Sequence, residues 1–180
     1  MITGRYTKDY RLSDRLDQKG RVRTSAEYIG EHYRLGDFGA AARLARLLTV
    51  LCAVGWLCFV TSLVPQSHAA HLIYVILPHA FTAIPLYTVS AGVVTVLHKG
   101  SSELIHSEAD KLTGRFRGAS FVGMLMTALI LAAFIVTYFV DGVDFVKGDI
   151  VFLICEAVMC SAFVTAYANR SKFDTKKVSR

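Results

Sequence analysis

Four long apolar stretches alternate with polar segments along the chain, at about residues 44–64, 71–97, 118–140 and 150–168. Each approaches or exceeds the roughly 20 residues that a helix needs to cross the hydrocarbon core of a bilayer. Their apolar positions run almost continuously, without the period of 3.6 or 2 that is typical of helices and strands in soluble domains. We therefore predict an all-α membrane protein, built as a bundle of four transmembrane helices. A soluble four-helix bundle is the alternative.

The positive charge of the connecting segments alternates strongly. Ten Lys and Arg residues precede Leu47, where the uncharged run of the first stretch begins; the three loops carry none, four and one, and five follow the last stretch. Cytoplasmic segments of membrane proteins carry an excess of Lys and Arg. The pattern predicts that both termini and the middle loop, residues 98–117, are cytoplasmic. With no cleavable signal peptide apparent, the first stretch is expected to stay as an anchor in a plasma (inner) membrane.

The composition and the distribution of charge predict three regions in the chain. The chain has 180 residues, 53% of them hydrophobic, and a mean hydropathy of +0.43. We expect a cytoplasmic N-terminal element over 1–39, the helical bundle over 40–170 and a basic tail over 171–180. The net charge is +6, and fifteen of the twenty basic residues lie in the two tails. Topology and anionic lipid headgroups account for this charge, so we predict no nucleic-acid partner.

The N-terminal element has the pattern of a β-hairpin. Apolar and aromatic side chains recur at alternate positions on either side of a plausible turn over residues 17–20. These positions are Tyr6, Tyr10, Leu12 and Leu16 before the turn, and Val22, Ala26 and Tyr28 after it. A third short strand is expected over residues 32–34. An isolated hairpin is marginal in water, so the membrane surface, the middle loop or a partner chain must cover it.

Two segments next to the spans have helical signals. Asp37 is a candidate N-cap for a helix that begins near residue 40. In the middle loop, apolar residues lie close to one helical face, with Ser101 or Ser102 as a cap, and they are Leu104, Ile105, Leu112 and Phe116. This loop is expected to form a short amphipathic helix on the cytoplasmic surface, in contact with lipid or with a partner.

Small residues recur every four positions in the last two spans. The third span has Ala119, Gly123 and Thr127, and the fourth has Ala157, Ser161 and Thr165. Such stripes let helix backbones approach closely in lipid. We expect both stripes to face protein, either each other or a neighbouring subunit, and an oligomer is expected. Chance is the alternative, because Ala and Gly are common in membrane spans.

The second and fourth spans carry the residues that are most able to take part in proton chemistry or to bend a helix. Pro78 and Pro85 are seven residues apart, so their bends should add on one helix face. Glu156 lies about 9 Å and His79 about 10 Å below the same outer boundary at 1.5 Å per residue, with Thr82 close by. An intramembrane ionisable residue suggests a functional site, and a buried Glu–His pair can relay a proton. The alternatives are a hydrogen bond that only locks two helices, a protonated Glu156 bonded to a backbone carbonyl, and a kink without function.

Other reactive residues give weaker signals. His68 and His71 flank the second span, but their spacing specifies no metal, even with His79, Asp141 or Asp144. We predict no metal and no cofactor. Four cysteines lie inside spans without Cys-x-x-Cys spacing, and we interpret them as reduced core residues: Cys52, Cys58, Cys155 and Cys160.

The sequence contains no Walker A loop, nucleophile elbow, zinc-protease motif or dinucleotide fingerprint, so we expect no enzyme. The first hypothesis is an accessory protein of the membrane that docks a cytoplasmic or membrane protein partner through its leader. The alternative is a small proton- or cation-coupled transporter or channel subunit that uses Glu156 and His79.

Overall fold

The computed structural model describes residues 4–16, 22–63, 67–68, 71–140 and 144–178, and most of them are helical. The helices are α1 (Phe38–Thr61), α2 (Ile73–Phe81), α3 (Ala83–Lys99), α4 (His106–Asp110), α5 (Phe116–Val140) and α6 (Lys147–Ala168). A π-helical turn (Lys111–Arg115) joins α4 to α5. Four helical units in this part of the chain are long and apolar enough to cross a membrane: Phe38–Thr61, Ile73–Lys99, His106–Phe139 and Lys147–Ala168. They suggest a multi-pass membrane protein.

The helices enclose two apolar clusters. Helix α6 packs against α1 and α5, α3 packs against the same two helices, and α2 packs against α5. The larger cluster includes Leu48, Leu86 and Phe163, and the smaller one is centred on Phe134 and Phe152. Many other large apolar side chains point outward from the bundle. Such a continuous exposed apolar surface is far larger than the patches of soluble monomers and fits a lipid environment.

Helix α1 begins earlier than the apolar run alone indicates. The Asp37 carboxylate accepts a hydrogen bond of 2.9 Å from the backbone N–H of Ala40, so Asp37 is the N-cap, as the sequence predicts. A side-chain acceptor at this position satisfies one of the free N–H groups of the first turn. The helix therefore starts at Phe38, several residues before the predicted span at 44.

The second span is interrupted at Thr82, between α2 and α3. Pro85 lies in the first turn of α3 and has no N–H to donate to the carbonyl of Phe81, while Pro78 lies inside α2. The Thr82 hydroxyl donates a hydrogen bond of 2.6 Å to the carbonyl of His79. Pro85 thus weakens the helix at Thr82, although the Thr82 backbone keeps helical angles (φ −64°, ψ −19°) and its hydroxyl pairs with a carbonyl there.

The predicted hairpin is confirmed from Tyr10 onward, but Tyr6, which was expected in its first strand, lies in a 3₁₀ helix (Gly4–Asp9) instead. Strands β1 (Tyr10–Leu16) and β2 (Val22–Tyr28) are antiparallel, with Tyr10 opposite Tyr28 and Leu12 opposite Ala26. Residues opposite each other share a face, so this register agrees with the alternation seen in the sequence. The predicted turn over 17–20 lies outside the described residues.

A second sheet corrects two predictions. Strand β3 (His32–Leu35) lies between β4 (Glu103–Ile105) and β5 (Thr175–Val178), and both pairings are antiparallel. The third strand exists, but its partners are the middle loop and the tail rather than the hairpin. The amphipathic helix was predicted wrongly at Leu104 and Ile105, because β3 offers these residues backbone hydrogen-bond partners. The basic tail, for which no strand was predicted, supplies β5.

The middle loop packs on protein. Leu104, Leu112 and Phe116 are buried in the larger core cluster. Neither Ser101 nor Ser102 caps a helix, because α4 begins at His106, where the Glu108 carboxylate accepts from the N–H of Ile105 at 3.0 Å.

The middle loop contacts the hairpin, and it is one of the three surfaces that were expected to cover it. The Tyr28 hydroxyl oxygen accepts a hydrogen bond of 3.0 Å from the N–H of His106, and His106 Nδ1 lies 3.1 Å from a carboxylate oxygen of Asp9. Leader, middle loop and tail therefore assemble at one end of the bundle. Ser67, which lies between α1 and α2, contacts Asp149 in the first turn of α6 at the other end.

Candidate functional site

The structure brings His79 and Glu156 into direct contact. His79 Nδ1 lies 2.5 Å from Glu156 Oε1, and both side chains are 0% exposed. His79 follows Pro78 near the end of α2, and Glu156 lies in the first half of α6. Two helices that are distant in the sequence are thus joined by one short bond between ionisable groups. Such a bond is stronger in an apolar interior than in water.

The second imidazole nitrogen also has partners, and they define its protonation. His79 Nε2 lies 3.1 Å from the Ser62 hydroxyl oxygen and 3.3 Å from the carbonyl of Phe59. Ser62 donates its single proton to that same carbonyl at 2.9 Å, so both partners offer lone pairs to Nε2. The arrangement that satisfies all three groups has a hydrogen on Nε2. In that arrangement the contact at Nδ1 requires a second proton, carried either by the imidazole or by the carboxyl group.

Apolar rings enclose the pair. The Phe59 ring is stacked on the imidazole with centroids 4.7 Å apart, and the Phe152 ring lies 5.8 Å from it. Glu156 Oε2 is buried without a hydrogen-bond partner in the described part of the chain. A buried acceptor that is left unpaired costs about 1–3 kcal/mol, and more when it is charged. This oxygen is thus a position at which a proton or a small polar ligand would be stabilised.

Thr82, the third predicted member of the site, has a different role. It is fully buried, but its hydroxyl contacts the backbone carbonyl of His79 rather than the imidazole or the carboxyl group. Thr82 therefore supports the backbone at the helix break that follows His79.

A second buried carboxyl group lies nearer the loop end of α6. Asp149 is 0% exposed, and its Oδ1 accepts from the Ser67 hydroxyl at 2.6 Å. Its Oδ2 accepts from the backbone N–H of Val146 at 2.9 Å, so Asp149 also caps α6. Neither Asp149 nor Ser62 was predicted from the sequence. A signal for Asp149 existed, since it precedes Glu156 by two helical turns, whereas nothing in the sequence marks Ser62.

The cysteines are free thiols, as expected. Cys58 on α1 and Cys155 on α6 are neighbours across the contact between these two helices. They adjoin Phe59 and Glu156 in the sequence, so this thiol pair lies next to the imidazole–carboxyl pair. From the sequence alone, the cysteines were compared only within one helix, Cys52 with Cys58 and Cys155 with Cys160, and this pair between helices was not predicted.

The two predicted packing stripes differ in their surroundings. In α5, Gly123 and Thr127 are buried and Ala119 is partly buried. A Cβ atom at Gly123 would lie 2.4 Å from ring atoms of Phe163, so α5 and α6 approach closely here. In α6, Ala157 and Ser161 are exposed and Thr165 is partly buried, so this stripe makes little contact within the chain. A contact with a neighbouring subunit stays a prediction.

No metal centre is evident in the described ranges. His68 and His71 are exposed, and within residues 4–16, 22–63, 67–68, 71–140 and 144–178 no three His, Cys, Asp or Glu side chains form a group that could hold a metal ion. Asp141, one of the acidic residues considered above, lies outside these ranges.

In comparisons with protein-family models, with curated proteins and with solved structures, nothing matches this chain. The function must therefore be argued from the site.

Proposed function

We propose that the protein is a small proton-coupled transporter or channel subunit of the plasma membrane, in which the His79–Glu156 pair binds the coupling proton. The observation that carries this proposal is the 2.5 Å contact between two completely buried ionisable groups on different helices. Ionisable groups inside a membrane are costly, and most of those that occur there have a function.

The proposed orientation places both termini and the middle loop in the cytoplasm. The distribution of Lys and Arg supports it, since nineteen of the twenty lie in these three segments. Their assembly at one end of the bundle is consistent with a common side. The pair lies towards the opposite end, near the connection that contains Ser62 and Ser67, so the proton arrives from the outside.

The chemistry requires only these side chains. With Nε2–H held by Ser62 and Phe59, an incoming proton on Glu156 Oε2 would convert the carboxylate into a neutral acid beside the imidazolium. The ionic attraction between α2 and α6 would then be lost. Two further polar groups lie at the pair: Ser62, which follows α1 and contacts the imidazole, and the Cys155 thiol of α6, which is close enough to interact with Glu156.

The interruption between α2 and α3 allows α2 to move when the protonation state of Glu156 changes. Helix α2 carries His79 and is separated from α3 at Thr82, where Pro85 leaves one backbone hydrogen bond unmade. In the proposed cycle, protonation of Glu156 weakens the α2–α6 bond and allows α2 to move about Thr82. Deprotonation restores the bond. Transporters often place binding residues next to interrupted helices of this kind.

The competing role for the pair is a permanent lock between α2 and α6. A lock requires the hydrogen bond but no exchange of the proton with the outside, so the two roles differ in one measurable property. Proteoliposomes adsorbed to a solid-supported membrane report charge displacement after a pH jump, without the need for a known substrate.

We expect a transient current from the wild type and none above background from Glu156→Gln. Glu103→Gln is the matched control, because Glu103 is an exposed glutamate in β4 at the other end of the bundle, and it should leave the current unchanged. A wild-type current equal to that of protein-free vesicles, or to that of Glu156→Gln, would show that the pair is a lock.

A second function, that of an accessory protein, is favoured by the surface of the leader. Leu12 in β1 is 70% exposed and Ile29 after β2 is 60% exposed, which suits a docking contact with a cytoplasmic or membrane protein partner. Native mass spectrometry of the protein extracted gently from its own membrane tests this function. A stoichiometric partner that Leu12→Asp releases and Glu156→Gln retains would support it. A homo-oligomer with the same mass for both variants would contradict it.

A further inference from the structure

A basic cleft lies at the sheet-bearing end of the bundle, between the start of α1 and the turn that follows α6. Its volume is about 290 Å³. The lining residues are Ala40, Arg43, Leu44, Leu47, Asn169 and Lys172. This cleft is on the opposite side of the molecule from the His79–Glu156 pair, and the proton site makes no use of it.

The two cations of the cleft have no acidic partner among the described residues. Some other basic side chains at this end are paired, namely Lys99 with Glu108 at 2.8 Å and Arg115 with Asp110 at 3.2 Å. Arg43 and Lys172 are both exposed, and they converge on one cavity from two segments far apart in the sequence. A guanidinium and an ammonium group around one cavity favour a phosphate, which accepts hydrogen bonds from both.

The apolar side of the cleft continues along α1. Leu44 forms its buried wall, and Leu47 is 53% exposed at its edge. Further along the helix, Val50, Val54 and Leu57 are also exposed, and the spacing of three, four and three residues places them with Leu47 on one face. A phosphate held in the cleft would therefore have an apolar stripe beside it, long enough for an acyl chain to follow.

We propose that this cleft binds an anionic phospholipid, with its phosphate between Arg43 and Lys172 and an acyl chain along the α1 stripe. The cleft chemistry fits any phosphate monoester or diester, and the stripe favours one that carries acyl chains. Each cation near a membrane surface contributes about 1 kcal/mol to binding an anionic lipid, which corresponds to about fivefold in affinity.

The test is a lipid titration of the full-length protein in detergent, followed by native mass spectrometry. Phosphatidylglycerol should bind at least fivefold more tightly than phosphatidylcholine. Arg43→Gln and Lys172→Gln should each lower the affinity for phosphatidylglycerol by about fivefold. Arg46→Gln is the control, because Arg46 is also an exposed arginine of α1, one turn further on, and it does not line the cleft. It should change the affinity by less than twofold.

Two results would overturn the proposal. An equal loss in Arg46→Gln and Arg43→Gln would show that total charge rather than the cleft attracts the lipid. Equal binding of phosphatidylcholine would show that the anionic headgroup is not recognised. The source of the phosphate is tested with glycerol 3-phosphate, which has no acyl chain and should bind at least tenfold more weakly than phosphatidylglycerol. Equal affinity of the two would assign the cleft to a soluble phosphate instead of a lipid.

Discussion

Asp149 lies two helical turns before Glu156 on α6, and both carboxyl groups are completely buried. The helical rise places their Cα atoms about 10 Å apart. Phe152 lies between them in the sequence and is itself fully buried, with its ring 5.8 Å from the imidazole of His79. An apolar ring between two polar positions can act as a barrier to water and protons. We propose that Asp149 is the outer carboxyl group of the proton path and that Phe152 separates it from the pair.

We therefore predict that Phe152→Ala speeds proton access to Glu156. The pH-jump current should rise at least several-fold faster than in the wild type, while Phe152→Leu should stay close to it. Because loss of a buried phenyl ring costs about 3–5 kcal/mol, thermal unfolding of both variants is measured alongside. An unchanged rise in a folded Phe152→Ala protein would show that this ring is not the barrier.

The contact between His79 and Glu156 also predicts unequal effects on stability. His79→Ala leaves a buried carboxyl group with no partner on either oxygen, and breaking a buried pair in this way costs about 3–5 kcal/mol. In Glu156→Gln the side-chain amide N–H can still donate to Nδ1 of the neutral Nε2–H imidazole, so we expect a loss of about 1 kcal/mol. Reversible unfolding in mixed micelles at neutral pH measures both losses. Losses of equal size would mean that the imidazole does not depend on a hydrogen-bond partner at position 156.

The close approach of α5 and α6 at Gly123 gives a test of the packing. Gly123→Ala would place a Cβ atom 2.4 Å from the ring of Phe163, and we expect about 1–3 kcal/mol of destabilisation from overpacking. Gly118→Ala is the control on the same helix, since no atom lies within 4 Å of the new Cβ. It should be neutral, or stabilising by up to about 1 kcal/mol through helix propensity. Thermal unfolding curves that shift equally for both variants would contradict this packing.

The β3–β5 pairing predicts a pH dependence at the sheet-bearing end. A hydrogen bond from Lys177, and a second one of 3.0 Å from Tyr33, lower the pKa of Glu31 below its ordinary value of 4.5. Because the pKa is lowered in the folded protein, the stability that Glu31 contributes is fully present above pH 4.5. It is lost as the pH falls through the lowered value.

Removal of the cation should reverse this shift. We expect Lys177→Gln to raise the pKa of Glu31, as followed by the carboxyl carbon chemical shift in an NMR titration. Lys176→Gln is the control, because its side chain alternates to the other face of β5. If the titration of Glu31 is the same in Lys177→Gln as in the wild type, the contact does not form in solution.

The spans and the hairpin could be predicted because their signals are local. An apolar run and a period-2 alternation need no knowledge of distant residues, and the Asp37 cap is read from its immediate neighbours. Strands β4 and β5 could not be predicted, since Glu103–Ile105 and Thr175–Val178 become strands only by pairing with β3. For β5 that partner lies about 140 residues earlier in the chain.

The same distinction applies to the site. The contact between His79 and Glu156 was predicted by counting depth along two helices that cross the bundle in the same direction. The contacts of His79 with Ser62 and with the Phe59 carbonyl were not predicted, because they depend on where α1 ends and on how the following loop folds back. The exposure of Ala157 and Ser161 was missed for a related reason. A small-residue stripe shows that close packing is feasible, but it does not identify the partner.

The central claim is that Glu156 exchanges a proton with the outside, and infrared difference spectroscopy of the full-length protein in lipid tests it most directly. Spectra recorded before and after a pH change should contain a carboxylic acid C=O band in the wild type. This band should be absent in Glu156→Gln and shifted in frequency in His79→Gln, which alters its hydrogen-bond partner. An identical band in wild type and Glu156→Gln would show that Glu156 keeps a fixed protonation state, and the pair would then be a structural lock between α2 and α6.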